Sequence, residues 1–159
     1  WQKKNILIIL ALFFITSCEY KPIYSDSNKT NYKIFVTEQT GDKKLNKFLV
    51  ENIIRNSQKN SDKVVDIKIN TKYSKIILAK DTAGNVTDYQ AKSITSFTIK
   101  RNQKSETFII NEKFNFQKMS DKYEEKNYEE NIKRSLATSI AQKLILRLSI
   151  LKWLLNHTK

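Results

Sequence analysis

The chain has few of the residues from which most enzyme sites are built. It contains one cysteine, one histidine, two glycines and one proline in 159 residues. One cysteine excludes a disulfide within the chain, and no cluster of His, Cys and acidic residues has the spacing of a zinc site. Two isolated glycines exclude a glycine-rich phosphate loop. A Ser/His/Asp triad would depend on His157 alone. The composition therefore predicts a non-enzymatic protein.

The first eighteen residues have the pattern of an export signal. Lys3 and Lys4 precede an uncharged apolar run, residues 6–15, and Thr16 and Ser17 lead to Cys18. The run is shorter than the roughly twenty residues that a membrane-spanning helix needs. We therefore predict a signal peptide over residues 1–17. Residues 15–18 resemble the bacterial lipobox, in which the cysteine becomes the first mature residue and carries lipid. The alternatives are an ordinary signal peptide with a chance cysteine, or an uncleaved anchor.

Acidic residues are also scarce. The chain has 29 Lys and Arg against 16 Asp and Glu, a formal net charge of +13, which removal of Lys3 and Lys4 with the signal lowers by two to +11. Such an excess favours anionic partners, namely nucleic acid, acidic lipid headgroups or phosphorylated glycolipid. Export makes nucleic acid the least expected of these. The alternative is that the lysines are scattered over solvated surfaces, as a lysine-rich composition produces without any dedicated anion site.

The mature chain divides into a short tether and one domain. Residues 18–31 are polar and predict a lipidated tether, and residues 32–155 predict a single folded domain. Alternation of apolar and polar residues indicates strands, and apolar residues at three- and four-residue spacing indicate helices. The predicted elements are strand 32–36, helix 42–57, strands 65–73, 86–100 and 108–116, and a helix from residue 120 to about residue 155.

The order β-α-β-β-β-α predicts an α+β fold. We expect a two-layer sandwich in which an antiparallel or mixed sheet of about four strands packs against two helices. Acidic residues crowd the start of the last helix, at Glu124, Glu125, Glu129 and Glu130. Because the helix dipole favours negative charge there, we interpret them as a solvated face and not as paired catalytic carboxylates.

Four basic residues fall at the tips of the predicted hairpins. Lys80 precedes the turn signal 81–85, and Lys100, Arg101 and Lys104 surround the next tight connection. A strand separates the two turns, so we expect them at opposite ends of the sheet. One end or the other is a candidate site for an anionic glycolipid. The alternative is that these are ordinary solvated loops.

The residues after the lipobox resemble a known family. Cys18-Glu19-Tyr20-Lys21-Pro22-Ile23-Tyr24 resembles the mature N-terminus of the LptE family of lipopolysaccharide-assembly lipoproteins, in its alphaproteobacterial form. The chain departs from the family pattern at Glu19, where glycine is usual. The order of elements and the closing segment from Tyr123 to Leu144 are also similar to the family, so the resemblance covers essentially the whole mature chain.

The resemblance implies a lipoprotein on the periplasmic face of the outer membrane of a Gram-negative cell, without enzymatic activity, cofactor or metal. It implies lipid attachment at Cys18. Its partners would be an LptD-type outer-membrane β-barrel, which it would plug and help to assemble, and lipopolysaccharide in transit to the surface. The candidate lipopolysaccharide contacts are then Lys80, Lys100, Arg101 and Lys104. The alternative is an auxiliary or pilot lipoprotein of another envelope transport or secretion complex.

Overall fold

A computed structural model describes residues 30–101 and 104–156 of the chain, with side chains as far as Ile150. The predicted signal peptide, Cys18 and nearly all of the predicted tether lie outside the described residues. Six elements follow one another in the predicted order β-α-β-β-β-α. They are β1 (Lys33–Gly41), α1 (Lys43–Asn56), β2 (Val64–Lys80), β3 (Val86–Arg101), β4 (Lys104–Gln117) and α2 (Lys122–Asn156).

The four strands form one mixed sheet in the order β1-β2-β3-β4. β1 runs parallel to β2, and the other two pairs are antiparallel. Parallel neighbours cannot be joined by a tight turn, so the connection from β1 to β2 crosses over the sheet, and α1 supplies that crossover. The predicted α+β sandwich is confirmed.

Both helices pack on one face of the sheet, and the core lies between the two layers. Alternate residues of the strands point into this layer, among them Ile67, Ile69 and Phe97, each at most 2% exposed. The predicted apolar stripe of α2 is buried over four turns against them, through Ile132, Leu136, Ile140, Leu144 and Leu148. The two helices and the four-stranded sheet thus enclose one continuous hydrophobic core.

The passage from β1 into α1 depends on a glycine and an aspartate. Gly41 has φ +97°, and a Cβ at this position would lie 1.8 Å from the carbonyl oxygen of Thr71 on β2. Asp42 then caps the helix, because its side chain accepts from the backbone N–H of Leu45 at 2.8 Å. The helix therefore begins just after a close approach between the backbones of β1 and β2.

Three strands are longer than the sequence predicts, and β4 begins at Lys104, four residues before the predicted start at residue 108. β1 continues from the predicted end at Val36 to Gly41, with a register shift between Val36 and Glu38, and β2 continues past Tyr73 to Lys80. The extra residues of β1 are polar and largely exposed, so they carry no alternation that a sequence pattern can detect. The extra residues of β2 include three consecutive apolar residues, 76–78, which also break the alternation.

The start of α2 is fixed by Asp121 and Glu125. Asp121 Oδ1 accepts from the backbone N–H groups of Tyr123 at 2.6 Å and Glu124 at 2.9 Å, so Asp121 caps the helix. Glu125 accepts from the backbone N–H of Met119 at 3.2 Å. The helix has 35 residues, yet in the described ranges no helix carries an apolar stretch that would cross a bilayer.

Candidate functional site

The predicted loop residues lie at the two ends of the sheet. Lys80 is paired with Val86 beside the 81–85 turn, and Arg101 is paired with Lys104 at the other hairpin. β3 connects these turns with 16 residues, about 50 Å of extended chain. The structure thus brings Lys100, Arg101 and Lys104 together and places Lys80 far from them, as expected. A single small ligand cannot contact both groups.

The two ends of the sheet differ in the hydrogen bonds and charged neighbours of their basic residues. The Arg101 guanidinium donates to Tyr32 Oη at 2.9 Å, so this residue ties the start of the domain to the β3–β4 hairpin. Lys100 and Lys104 are exposed. At the other end the turn is held by Asp81, whose carboxylate accepts from the side chain and the backbone N–H of Asn85 at 3.0 and 2.8 Å. These bonds lower the pKa of Asp81, so Lys80 has a negatively charged neighbour in sequence.

The face of the sheet opposite the helices carries a second group of basic residues. Lys92 on β3 lies directly across from Lys113 on β4. Lys72 on β2 lies across from Ile94, two residues from Lys92 along β3. Residues two apart on a strand share a face, so the three lysines surround Ile94 on this open face. We name Lys72, Lys92 and Lys113 the sheet lysine cluster.

The sheet lysine cluster has no counter-charge among the described residues. None of the three side chains forms an ion pair there, whereas Lys68 further along the same face pairs with Glu38 at 2.7 Å. The acidic residue that follows Lys92 on this face of β3 is Asp88, about 13 Å away along the strand. Like charges directly opposite each other in a sheet destabilise it by roughly 0.2–1 kcal/mol. An anion placed among the three would relieve that repulsion.

Sequence reasoning missed this cluster. The alternation of β2 already placed Lys72 on the polar face, but Lys92 and Lys113 join it only once the registers of both hairpins are known. A one-residue shift in either pairing would move a strand's side chains to the other face. The sequence therefore showed which face of each strand a lysine occupies, but not which lysines lie side by side.

Two of the four acidic residues at the start of α2, Glu125 and Glu129, are not part of a solvated face, which corrects the sequence interpretation for them, whereas Glu124 is exposed. Glu125 and Glu129 both pair with Lys75 of β2, at 2.5 and 3.5 Å, and their side chains are only 17% and 26% exposed. The Lys75 ammonium also lies 4.2 Å from the centre of the Tyr89 ring. The bond from Lys75, which outweighs partial burial, lowers the pKa of Glu125. These carboxylates hold the helix on the sheet.

Metal chemistry has no support in the described ranges. No group of three or more His, Cys, Asp or Glu side chains there is arranged to hold a metal ion. Cys18 and His157 lie outside the described residues. The described surface presents ammonium and guanidinium groups on the sheet, and such groups bind anions.

Comparison with known proteins identifies the fold. No protein-family model and no curated protein sequence matches the chain. Among solved structures, the chain resembles the rare lipoprotein B of Shewanella oneidensis, with a TM-score of 0.59 and 13% identity over 76% of this chain and 99% of that one. It also resembles a Caulobacter crescentus protein described as a lipoprotein, with a TM-score of 0.55 and 10% identity over 81% of this chain and 93% of that one.

A third structure, lipoprotein B of Nitrosomonas europaea, gives a TM-score of 0.51 and 12% identity over 76% of this chain and 89% of that one. Each match covers nearly all of the other protein, so the likeness extends over a whole domain. At these identities it is a likeness of fold. The chain thus has the fold of these lipoproteins.

Proposed function

We propose that the protein is a non-enzymatic outer-membrane lipoprotein of LptE type, anchored through lipid on Cys18. It plugs the lumen of an LptD-type β-barrel, assists assembly of that barrel and binds lipopolysaccharide on its way to the surface. The observation that carries the proposal is the contrast between the two faces of the sheet. One face is covered by both helices, and the other is open and carries a basic cluster that forms no ion pair within the described residues.

The open face has the chemistry that a barrel lumen requires. Large outer-membrane barrels have a polar interior that their own side chains cannot fill. The open face presents Ser, Thr, Asn and Lys side chains along three strands, which can hydrogen-bond to such a wall, and exposed apolar side chains such as Ile76, Leu78 and Ile109 lie among them. The helix layer stiffens the sheet from behind, as a plug needs.

The sheet lysine cluster supports binding of a phosphorylated glycolipid. Neighbouring strands are about 4.8 Å apart, and a lysine side chain is long enough for ammonium groups on adjacent strands to converge on one phosphate. Ile94 at the centre supplies a small apolar surface. The hydroxyl and amide side chains of neighbouring rows, such as Ser96 and Asn111, can bond to sugar hydroxyls.

A pull-down tests the partner. The full-length lipoprotein, solubilised in detergent, is captured and its companions are identified by mass spectrometry. A large outer-membrane barrel in equal amount is the expected result. A preparation without a barrel, or one containing inner-membrane transporter subunits, contradicts the proposal and favours an auxiliary or pilot lipoprotein of another envelope complex.

A binding measurement tests the ligand. Replacing the three lysines of the sheet lysine cluster by Gln should weaken lipopolysaccharide binding, and the loss should be largest at low salt. The matched control replaces Lys43, Lys47 and Lys126, which are exposed on the helix side, and makes the same change in net charge. Equal losses in both triple variants would show that the effect is one of total charge and not of the open face.

The loop residues are tested separately. Replacing Lys100, Arg101 and Lys104 by Ser examines one end of the sheet, and Lys80→Ser the other. Because Arg101 bonds to Tyr32, the first variant is accompanied by the double replacement of Lys100 and Lys104, which leaves that contact intact. Weaker binding at low salt in the double variant supports a contact at the β3–β4 hairpin. Unchanged binding shows that these charges are solvated.

A further inference from the structure

An exposed apolar patch lies at the seam between β4 and α2. Ile109 is 61% exposed, Leu146 62% and Ile150 51%, and the three line a single open groove of about 400 Å³. We call these three residues the seam patch. β4 is an edge strand, so no further strand in the described part of the chain pairs with it. Large apolar side chains gathered at one place on a surface mark a site of interaction.

Basic residues border the seam patch. Lys143 and Arg147 line the same groove from α2, and they pair with Glu112 and Glu106 of β4. Those two carboxylates are thereby neutralised. Lys104 and Lys113, further along β4, add charge without an acidic partner in the described ranges. The edge is therefore apolar at its centre and net positive around it.

The arrangement suits the surface of a bilayer that contains anionic lipid. The Arg147 guanidinium lies 4.2 Å from the centre of the Phe108 ring and pairs with Glu106, so a basic group lies directly against the apolar surface of the groove. Long basic side chains of this kind place their methylene groups among acyl chains and their charges among headgroups. A helix face with Leu and Ile flanked by Lys and Arg is the usual chemistry of interfacial binding.

The position of Thr30, where the described chain begins, also favours a bilayer surface as the partner of the seam patch. Thr30 bonds through its backbone N–H to Asn56 at 3.0 Å, and Tyr32 is bonded to Arg101 of the β3–β4 hairpin. Arg147 contacts Glu106 just beyond that hairpin at 2.7 Å. The entry and the seam patch thus belong to the same end of the sheet.

Twelve residues separate Cys18 from Thr30, which is a reach of at most about 40 Å. A lipid on Cys18 would keep this end close to the membrane. We propose that the seam patch docks on the surface of an anionic bilayer and orients the lipidated domain there. This contact is additional to the proposed barrel and glycolipid contacts, and it rests on the lipid anchor.

A fluorescence experiment on the full-length, acylated protein tests this contact. An NBD probe is attached at Leu146→Cys, and the protein is reconstituted in vesicles of phosphatidylethanolamine and phosphatidylglycerol. Acylation uses the thiol of Cys18, so the introduced cysteine is the labelled one. The matched control places the probe at Ile77→Cys, which is 53% exposed on the distal part of β2, towards the other end of the sheet.

The expected result is a blue-shifted, brighter emission at position 146 that is lost at high salt, and an aqueous emission at position 77. The shift should shrink when Ile109 and Ile150 are both replaced by Ser, and circular dichroism checks that this variant is folded. Aqueous emission at position 146 overturns the proposal. A shift that rises with protein density at fixed lipid also overturns it, in favour of a second copy of the chain. The vesicles contain no barrel, so either failure leaves the barrel proposal standing.

Discussion

Lys133 of α2 and Asp42, the cap of α1, join the two helices. The Lys133 ammonium donates to Asp42 Oδ2 at 2.8 Å, while Oδ1 of the same carboxylate accepts from the Leu45 backbone N–H at 2.8 Å. The backbone N–H of Asp42 donates to Thr71 Oγ1 of β2 at 3.0 Å. One residue therefore caps α1, binds α2 and contacts the sheet, and both partners of the ion pair are largely buried.

Removal of this carboxylate should destabilise the domain more than loss of a helix cap does. Asp42→Ala leaves the first turn of α1 uncapped and Lys133 without its acidic partner, and we expect a cost of about 2–4 kcal/mol in the free energy of unfolding. Asp42→Asn keeps a capping oxygen and should cost less. Urea unfolding followed by circular dichroism measures both.

Asp121→Ala provides the matched control for the capping contribution. Asp121 caps α2 but is exposed and forms no ion pair within the described ranges, so its loss should cost about 1 kcal/mol. If Asp42→Ala costs no more than Asp121→Ala, the ion pair with Lys133 contributes nothing to stability, and the two helices are held together by their other contacts.

Stability should fall in acid through Asp42 and Glu125. Burial alone would raise the pKa of Asp42, but the bond from Lys133 and the N–H of Leu45 outweigh it and lower the pKa below its usual 3.8. The pKa of Glu125 is lowered from 4.5, chiefly by Lys75. A group whose pKa is lower when folded stabilises the fold above its unfolded pKa. That contribution is lost as the pH falls through the folded value.

The pH dependence is measured by urea unfolding at a series of pH values from 7 to below 3. We expect a plateau down to about pH 5 and then a decline, which should be shallower in Asp42→Asn because one of the carboxylates with a lowered pKa is gone. A decline of the same steepness in both proteins would show that Asp42 does not contribute to the acid sensitivity.

The two glycines should respond very differently to alanine. Both have positive φ, +97° at Gly41 and +84° at Gly84. A Cβ at Gly41 would meet the backbone of Thr71, whereas a Cβ at Gly84 meets nothing within 4 Å. Gly84→Ala should therefore cost about 1–2 kcal/mol from backbone strain alone. Gly41→Ala should cost at least about 3 kcal/mol, because β1 and β2 must also separate.

Thermal unfolding of the two variants tests this difference directly, with each variant compared to the parent chain. The comparison isolates the steric contribution, since the backbone conformation is nearly the same at both sites. Equal losses of stability in the two variants would mean that β1 moves away from Thr71 without cost. The parallel pairing of β1 with β2 would then be easily deformed at this point.

The sequence predicted the fold well because most elements are strongly periodic. The stripe of α2 and the alternation of residues 65–73 both identified buried faces that the structure confirms, such as Ile140 and Ile69. The prediction failed where stability comes from pairing with a neighbouring strand. Residues 37–41 of β1 are polar, yet they form a strand because β2 satisfies their backbone groups.

The candidate site could be predicted only in part for the same reason. The hairpin tips follow from turn residues alone, so Lys80 and Lys104 lie where the sequence placed them. The sheet lysine cluster depends on register, and the seam patch depends on where α2 lies relative to β4. The burial of Glu125 was missed because helix-dipole reasoning considers a helix in isolation, whereas the partner, Lys75, is fifty residues away in sequence.

A charge reversal in the sheet lysine cluster should separate stability from binding. Lys113→Glu replaces the like-charged pair with Lys92 by an opposite-charged pair, so we expect the free energy of unfolding to rise by about 0.5–1 kcal/mol at low salt and the gain to vanish at high salt. Affinity for lipopolysaccharide should fall in the same variant, because one basic group is lost and a carboxylate now repels phosphate. Thermal unfolding and glycolipid binding are measured on the same preparation.

Lys47→Glu on the exposed side of α1 makes the same change of charge away from the open face, and it should leave glycolipid affinity nearly unchanged. A more stable Lys113→Glu protein that binds lipopolysaccharide as well as the parent would place the glycolipid elsewhere, since the repulsion between Lys92 and Lys113 would then have no ligand to relieve it. A variant that gains no stability at low salt would show instead that the two ammonium groups point apart. The open face would then lack the convergence of charge that phosphate binding requires.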